Sequence, residues 1–426
     1  MRYTQVGDWL RWMETQHPRD IDLGLERIAR VALQLNITLN MPVITVAGTN
    51  GKGSCVALLS SIFGQQGYRV GAYTSPHIIH YQERIVVAGN NVDDETLCSA
   101  FAAIDEARGE ISLTYFEFGT LAALLIFEQQ AVDVAVLEVG LGGRLDAVNI
   151  VDADVAIVSS IAIDHEAWLG SDREMIGREK AGVFRSGQPA IIGDPQPPQA
   201  LLDYGLQLGA TLVCRDDDFS FTEQTGSTWS WQGLAKNGER CEYKDLPRSP
   251  LLIDNAATVL QALQYIDLPL SEESIRQGLS TVNISGRCEH INYRGIDLVL
   301  DVAHNPASVQ ILYDHLVANP IGGRTTCLFA VMADKAIDQI IAIVKPCFAH
   351  WTLVPLLGND RAATAEEVKV ALQAQGVAQV SVGDSFGENL DSALSSLSAG
   401  DRLVVFGSFF TVAAAMAEFA DRLSAE

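Results

Sequence analysis

Residues 43–55 read VITVAGTNGKGSC: an apolar run, a glycine-rich turn and a lysine at the head of the next segment. Val43, Ile44, Val46 and Ala47 are apolar, mostly β-branched, and do not alternate strictly with polar residues. A strand covered on both faces, as in a parallel sheet, has this pattern. Gly48, Gly51 and Gly53 open backbone angles closed to other residues and let main-chain N–H groups come close to an anion. Beyond them Val56, Leu58, Leu59, Ile62 and Phe63 recur at helical spacing, which predicts a helix over Cys55–Gln66 with its N-terminus beside the turn. Strand, turn and helix dipole thus converge on a phosphate cradle; the alternative is a structural glycine turn with a surface lysine. In the common P-loop a Ser or Thr directly follows the lysine and holds magnesium, whereas here Gly53 intervenes before Ser54. The pattern of ordinary kinases and GTPases is not met.

Bulk properties narrow the class. A chain of 426 residues holds two or three domains. Its 29 basic and 53 acidic residues leave a net charge of −24, which argues against a nucleic-acid partner but not against a nucleotide. Seven scattered cysteines without a Cys-x-x-Cys pair fit reduced core thiols better than a disulfide framework or a zinc site. The segment MRYTQVGDWLRWMETQHPRD carries charges and tryptophans where a signal peptide has an apolar core, and no apolar run reaches membrane-spanning length. A soluble cytoplasmic protein with no membrane contact is expected.

After the first strand and helix comes YRVGAYTSPHI, a strand ending in a polar turn from Thr74 to His77. AVDVAVLEVGLGG and ADVAIVSSIAIDH read as further apolar strands with polar residues at their C-terminal ends, where open parallel sheets bind ligands. FSFTEQTGSTWSWQG reads as a surface hairpin. Near Gly286 a helical pattern gives way to a new strand, with SGRCEH as the hinge, so domains of 1–286 and 287–426 are expected. From there IDLVLDVAHN, RTTCLFAVMA, HWTLVPL, AQVSVG and DRLVVFGS alternate with helices such as TAEEVKVALQAQG, which specifies a second α/β domain. No internal repeat interrupts this order.

A nucleotide triphosphate needs magnesium, which takes few protein oxygens and keeps waters. Glu138, at a strand end before glycines, either serves such an ion or pairs with Arg144. Ser75 and His165 end other strands, although histidine is an unusual partner for a hard cation. Lys180, on a charged helix, reads on general grounds as a solvated lysine. DVAHNPAS places Asp301, His304 and Asn305 after a strand, with Pro306 suited to open a helix; this is either a capped turn or an interdomain ligand site.

These stretches together resemble the Mur ligase superfamily and, within it, the folylpolyglutamate synthase and dihydrofolate synthase family. The resemblance runs nearly end to end: LGLERI, VAGTNGKGS, YTSPHI, TYFEFGT, LEVGLGGRLDAVN, DHEAWLG, EKAGVF, NAATVL, SGRCE, DVAHNP and VFGSF. The glycine after Lys52 is what this family shows. It implies a Mur-ligase-like P-loop ATPase domain with a mainly parallel sheet, plus a smaller Rossmann-like C-terminal α/β domain, closing over ATP, a pterin substrate and L-glutamate.

The resemblance assigns roles by motif. Gly48, Thr49, Asn50, Gly51, Lys52, Gly53 and Ser54 would cradle the ATP phosphates. Ser75, Glu138 and His165 would hold Mg2+, with a second divalent or a monovalent cation as a further option. Lys180 would be the family's carbamylated lysine, which reverses its reading as a solvated residue. Asn255, Arg287 and Asp301 would contact ATP, and His304 would position glutamate or nucleotide. The pterin of dihydropteroate or a reduced folate would rest against Gly24, Leu25, Glu26 and Arg27, against Thr114, Tyr115, Phe116 and Glu117, and against Leu145, Asp146 and Ala147. Phe116 is then an aromatic contact or else a buried core residue.

The implied activity is ATP-dependent joining of glutamate to a carboxylate through an acyl phosphate, by a monomer. Two alternatives are a peptidoglycan-precursor Mur ligase, against which LGLERI and TYFEFGT argue, and a nucleotide-dependent switch, against which the lack of Asn-Lys-x-Asp and the presence of DVAHNP argue.

Overall fold

The computed structural model describes residues 2–224 and 228–424, and the chain divides into two compact units. One runs to His77 and resumes over Tyr81–Asn283; the other takes Ile78–His80 and the chain from Ile284 onward. The border expected at 286/287 falls just inside the second unit.

The first unit is organised by β1 (Val43–Ala47), β2 (Val70–Tyr73), β3 (Ile85–Val87), β4 (Asn90–Asn91), β5 (Val134–Glu138), β6 (Val155–Val158), β7 (Pro189–Ile192) and β8 (Thr211–Cys214). They form one sheet in the order β4-β3-β2-β5-β1-β6-β7-β8. All pairings from β2 to β8 are parallel; β3 and β4 run antiparallel at the edge. Every β1 residue is buried, Thr45 included, which is why its sequence reads as mostly apolar without strict alternation. One apolar layer gathers Trp9, Phe101, Phe118 and Phe127, and a second gathers Ile176, Phe184 and Leu201.

Parallel strands end on the same edge of a sheet. The registers Val46↔Glu138, Ala47↔Val158 and Tyr73↔Leu137 therefore bring the chain after β1, β2, β5 and β6 together.

The helix after β1 spans Lys52–Gln66, three residues longer than the apolar spacing predicted. Periodicity reports only the buried face, and Lys52, Gly53 and Ser54 form a first turn beside the loop. This helix packs closely on the Glu272–Thr281 helix, where a Cβ at Gly278 would stand 2.6 Å from the Ile62 Cα. No larger residue fits there without moving backbone.

A three-stranded antiparallel sheet comes next, with β9 (Ser220–Glu223), β10 (Thr228–Leu234) and β11 (Arg240–Pro247). It contains the expected hairpin, of which residues 225–227 lie outside the described residues. Its buried Trp231 donates Nε1–H to the Ala257 carbonyl at 3.1 Å.

The second unit holds β12 (Glu289–Tyr293), β13 (Ile296–Asp301), β14 (Thr325–Phe329), β15 (Trp351–Leu353), β16 (Val380–Val382) and β17 (Arg402–Phe406). Their order is β12-β13-β17-β14-β15-β16, parallel except for β12. The SGRCEH hinge reading needs correcting at its end: Glu289 already pairs in β12, an antiparallel edge strand that the sequence pattern did not reveal. Helices cover both faces, burying Leu312, Ile340 and Leu372 on one side and Leu390, Val412 and Phe419 on the other. Among the described residues no helix is long and apolar enough to cross a membrane.

Candidate active site

The loop after β1 is built from backbone geometry. Gly48 has φ +146° and Gly51 φ +88°, both costly for a residue with a Cβ. A Cβ on Gly48 would lie 2.0 Å from Ser159 Oγ, and one on Gly51 2.4 Å from Asn255 Oδ1. Asn255, far away in sequence, thus closes the back of the loop. Two serines after β6 brace it: Ser159 Oγ donates to the Asn50 carbonyl at 2.7 Å, and Ser160 Oγ does so at 2.9 Å. Thr49 donates its N–H to the Ser160 carbonyl at 2.7 Å and its hydroxyl to Ala162 O at 3.1 Å. Sequence reasoning missed these serines; their signal was the polar pair in SSIAIDH at a strand end. The first-turn N–H groups of Lys52, Gly53 and Ser54 have no intrahelical acceptor, and the helix dipole adds positive potential there. A cradle that Cβ atoms would fill, at a helix N-terminus, fits a phosphate.

Two lysines converge on one carbonyl. Lys52 Nζ lies 3.2 Å from Gly48 O and 3.2 Å from Thr49 O, and Lys180 Nζ lies 2.8 Å from the same Gly48 O. Lys180 is 3 % exposed, so the solvated-lysine reading is wrong. Sequence spacing showed charges around its helix but not the glycines that let the helix approach. A Cβ on Gly143 would sit 2.8 Å from Glu179 O, and one on Gly182 2.4 Å from the Arg144 Cα. With both positions bare, the two backbones touch and the Lys180 stem reaches under the loop. Burial, followed by the Lys52 charge, pushes its ammonium from 10.5 down to about 7, while Asp164 and Asp146 oppose the shift.

Glu138, 5 % exposed, accepts the Ser75 N–H at 3.3 Å across the β2/β5 junction. The alternative pairing with Arg144 is not formed; Arg144 Nη2 instead meets Glu179 Oε1 at 2.9 Å. A serine and a carboxylate beside the loop offer the hard oxygens that magnesium takes. His165 precedes the short Glu166–Leu169 helix with φ +53°, its side chain 39 % exposed. Among the described residues no three His, Cys, Asp or Glu side chains form a ready cation cage.

The residues expected to meet the pterin do assemble. Gly24 N–H donates to Leu145 O at 3.3 Å, joining the segment of Leu25 and Glu26 to Leu145–Ala147. Arg27 Nη2 lies 3.3 Å from Glu117 Oε1. Thr114 and Glu117 form a capping box for the Tyr115–Gln129 helix, which locks the carboxylate in place. Asp146, 2 % exposed, accepts N–H bonds from Leu141 at 2.8 Å and Val148 at 3.0 Å, yet burial pushes its carboxyl up to about 7. Phe116 is half-buried and packs against the apolar layer of the first unit. Its ring packs against Gly140, where a Cβ would approach to 2.5 Å.

In the second unit Asp301, 7 % exposed, ends β13 and accepts N–H bonds from Cys288 at 2.8 Å and Ala303 at 2.7 Å. His304 Nδ1–H donates to Val302 O at 2.8 Å, which leaves Nε2 as the basic nitrogen of the neutral ring. Asn305 caps the Pro306–Ala318 helix. The Arg287 guanidinium lies 5.3 Å from the Phe409 ring centre, and the His304 ring 6.2 Å from it. Phe409, within VFGSF, is thus the common wall of two expected ligand residues.

A P-loop-like cradle with a buried second lysine, in a chain that also carries a separate parallel α/β unit, defines the Mur ligase class of ATP-dependent ligase folds. Residues 286–409 match the family described as "Mur ligase, glutamate ligase domain". The chain is 42 % identical over 412 residues to the dihydrofolate synthase/folylpolyglutamate synthase of Escherichia coli, covering 96 % of this chain and 94 % of that protein. It is 39 % identical to that of Haemophilus influenzae, covering 96 % of each. The structure of the E. coli protein in complex with DHPP and ADP aligns with TM-score 0.93 at 41 % identity, covering 98 % of both chains. A bifunctional folylpolyglutamate synthase/dihydrofolate synthase with Mn, AMPPNP and L-glutamate bound aligns with TM-score 0.90 at 41 % identity, also covering 98 % of both. The chain belongs to the dihydrofolate synthase/folylpolyglutamate synthase family.

Proposed function

We propose that this protein is an ATP-dependent ligase that joins L-glutamate to the carboxylate of dihydropteroate and to the γ-carboxylate of reduced folates. The observation that carries the reading is the meeting of Lys52 and Lys180 on the Gly48 carbonyl, beside Ser75 and Glu138, in a chain 42 % identical to a protein of that name.

A carboxylate is a poor acyl donor because its leaving group is oxide. In the first step a substrate carboxylate oxygen attacks the γ-phosphorus of ATP and ADP leaves, giving an acyl phosphate. Lys52 and the first-turn N–H groups offset charge on the transferring phosphoryl group. The glutamate amine then attacks the acyl carbon; the tetrahedral intermediate expels phosphate, loses a proton and leaves an amide. Ser75, Glu138 and His165 would hold magnesium, which screens phosphate charge when bound. A carbamylated Lys180 would turn a buried cation into a carboxylate-like anion near that ion. The pterin would lie among Gly24–Arg27, Thr114–Glu117 and Leu145–Ala147, where the Glu117 and Asp146 carboxyls and the half-buried Phe116 provide polar and stacking contacts. Asn255, Arg287 and Asp301 are assigned to ATP, and His304 to glutamate or nucleotide. The protein acts as a cytoplasmic monomer.

The test is phosphate release from Mg-ATP with L-glutamate and either dihydropteroate or tetrahydrofolate. Release that needs glutamate with dihydropteroate supports the synthase, and release with tetrahydrofolate supports the second activity. No stimulation by either pair would sink the assignment.

A further inference from the structure

The second unit carries two histidines that the ligation does not use. His290 lies on β12 opposite Val299 of β13, so it points to the face that the Pro306–Ala318 helix covers with Leu312 and Leu316. His315, one helical turn from Leu312, meets it there: the two Nε2 atoms are 2.9 Å apart, a hydrogen bond between the rings. Behind His290, Nδ1 is 2.7 Å from Asp297 Oδ1, and the other Asp297 oxygen accepts from Arg402 Nε at 2.7 Å. A carboxylate only accepts, so in neutral His290 the proton sits on Nδ1 and Nε2 presents a lone pair. His315 Nε2–H then donates to it, and when that proton moves to His315 Nδ1 two lone pairs converge on one point.

We propose that His290 and His315 form a binding site for a first-row divalent cation of the copper or nickel type, with Asp297 as the positioning carboxylate. At a metal–nitrogen distance of about 2.0–2.1 Å, nitrogens 2.9 Å apart subtend roughly 90° at the ion. That is the cis angle of the square-planar and tetragonal sites favoured by Cu2+ and Ni2+; a tetrahedral zinc would need the atoms about 3.3 Å apart. A carboxylate on the far nitrogen fixes ring orientation and raises ligand basicity, as behind known metal-bound histidines. The pair is open to solvent, with the His290 side chain 41 % exposed, so water fills the remaining positions. The charged groups facing it are Asp297 and Asp301 from β13 and Arg402 from β17, of which Asp297 and Arg402 pair with one another. The site is separate from Ser75, Glu138 and His165, which belong to the other unit.

Nickel chloride titrated into the full-length protein at pH 7.5, followed by calorimetry, tests this directly. The expected result is one Ni2+ site whose affinity drops at least tenfold in His290→Ala and in His315→Ala but not in His165→Ala. Asp297→Asn should weaken it roughly ten- to a hundredfold, as loss of an outer carboxylate does. Bound Cu2+ should show two imidazole nitrogens in its electron paramagnetic resonance, a readout that needs only the wild-type protein. Unchanged isotherms in both histidine variants, or a Cu2+ spectrum without two equatorial imidazoles, would overturn the site. Ligation turnover without added nickel should be equal in wild type, His290→Ala and His315→Ala.

Discussion

Depriving the protein of dissolved CO2 should expose the role of Lys180. Carbamylation requires the neutral amine: its nitrogen attacks the CO2 carbon, a C–N bond forms, and a proton leaves to solvent. A lysine with the ordinary pKa near 10.5 offers about one neutral amine in a thousand at pH 7.5. With burial and Lys52 holding it at about 7, roughly three quarters are neutral, so the reactive form is enriched on the order of 10³-fold. Phosphate release in CO2-free buffer should therefore fall and recover on adding bicarbonate at pH 7.5, with recovery fading as pH drops below 7. Carbon-13 bicarbonate should give one carbamate resonance that Lys180→Gln lacks. Rates indifferent to bicarbonate, with no resonance traceable to Lys180, would refute the reasoning.

The same shift sets a stability dependence. In CO2-free buffer below pH 7 the folded and unfolded chains both hold the proton, and burying it costs about 5 kcal/mol. Between pH 7 and 10.5 only the unfolded lysine stays charged, so stability rises with pH across that window. Lys180→Met should flatten the rise and melt higher at pH 7. In the loop itself, Lys52→Ala should cost about 10²–10³-fold in ligation rate, the scale of one lost transition-state charge contact, while the melting temperature stays within a few degrees. Gly51→Ala forces a Cβ against Asn255 at a positive φ, so the KM for ATP should rise at least tenfold; an unchanged KM would mean the loop relaxes freely. Ser159→Ala with Ser160→Ala removes both hydroxyl donors to the Asn50 carbonyl and should raise the KM for ATP by about tenfold, equivalent to about 1.4 kcal/mol.

Local signals in the sequence carried the architecture because they were dictated by neighbours in the chain. The mostly apolar run of β1, the glycines after it and the Asn305-Pro306 helix start are each visible within a few residues. What stayed hidden depends on contacts between distant segments. Ser159 and Ser160 meet the loop from about 110 residues away, and Lys180 is buried only because Gly143 and Gly182 let two backbones touch. Nothing in GREKAGVF alone separates that lysine from a surface one. Likewise β12 was illegible because EHINY is only five residues long and one of its inner positions is the polar Glu289, so its alternating burial leaves little apolar pattern in the sequence.

The glycine at position 53 makes sense in this setting. An ordinary P-loop holds magnesium through the hydroxyl that comes directly after its lysine. Here that position has no side chain, and the oxygens available beside the loop come from neighbouring strands instead, Glu138 at the end of β5 and Ser75 just after β2. With a cation held by Ser75 and Glu138 as proposed, the space under Gly48 is left to Lys180. As an ammonium, Lys180 would crowd Lys52 around one carbonyl, a repulsion that adds to burial in lowering its pKa. As a carbamate it would pair with Lys52 and present oxygen toward the cation, so the two lysines stop competing and act on opposite charges. On this reading the missing hydroxyl and the buried lysine are one adaptation, and a serine introduced at position 53 should not replace Lys180.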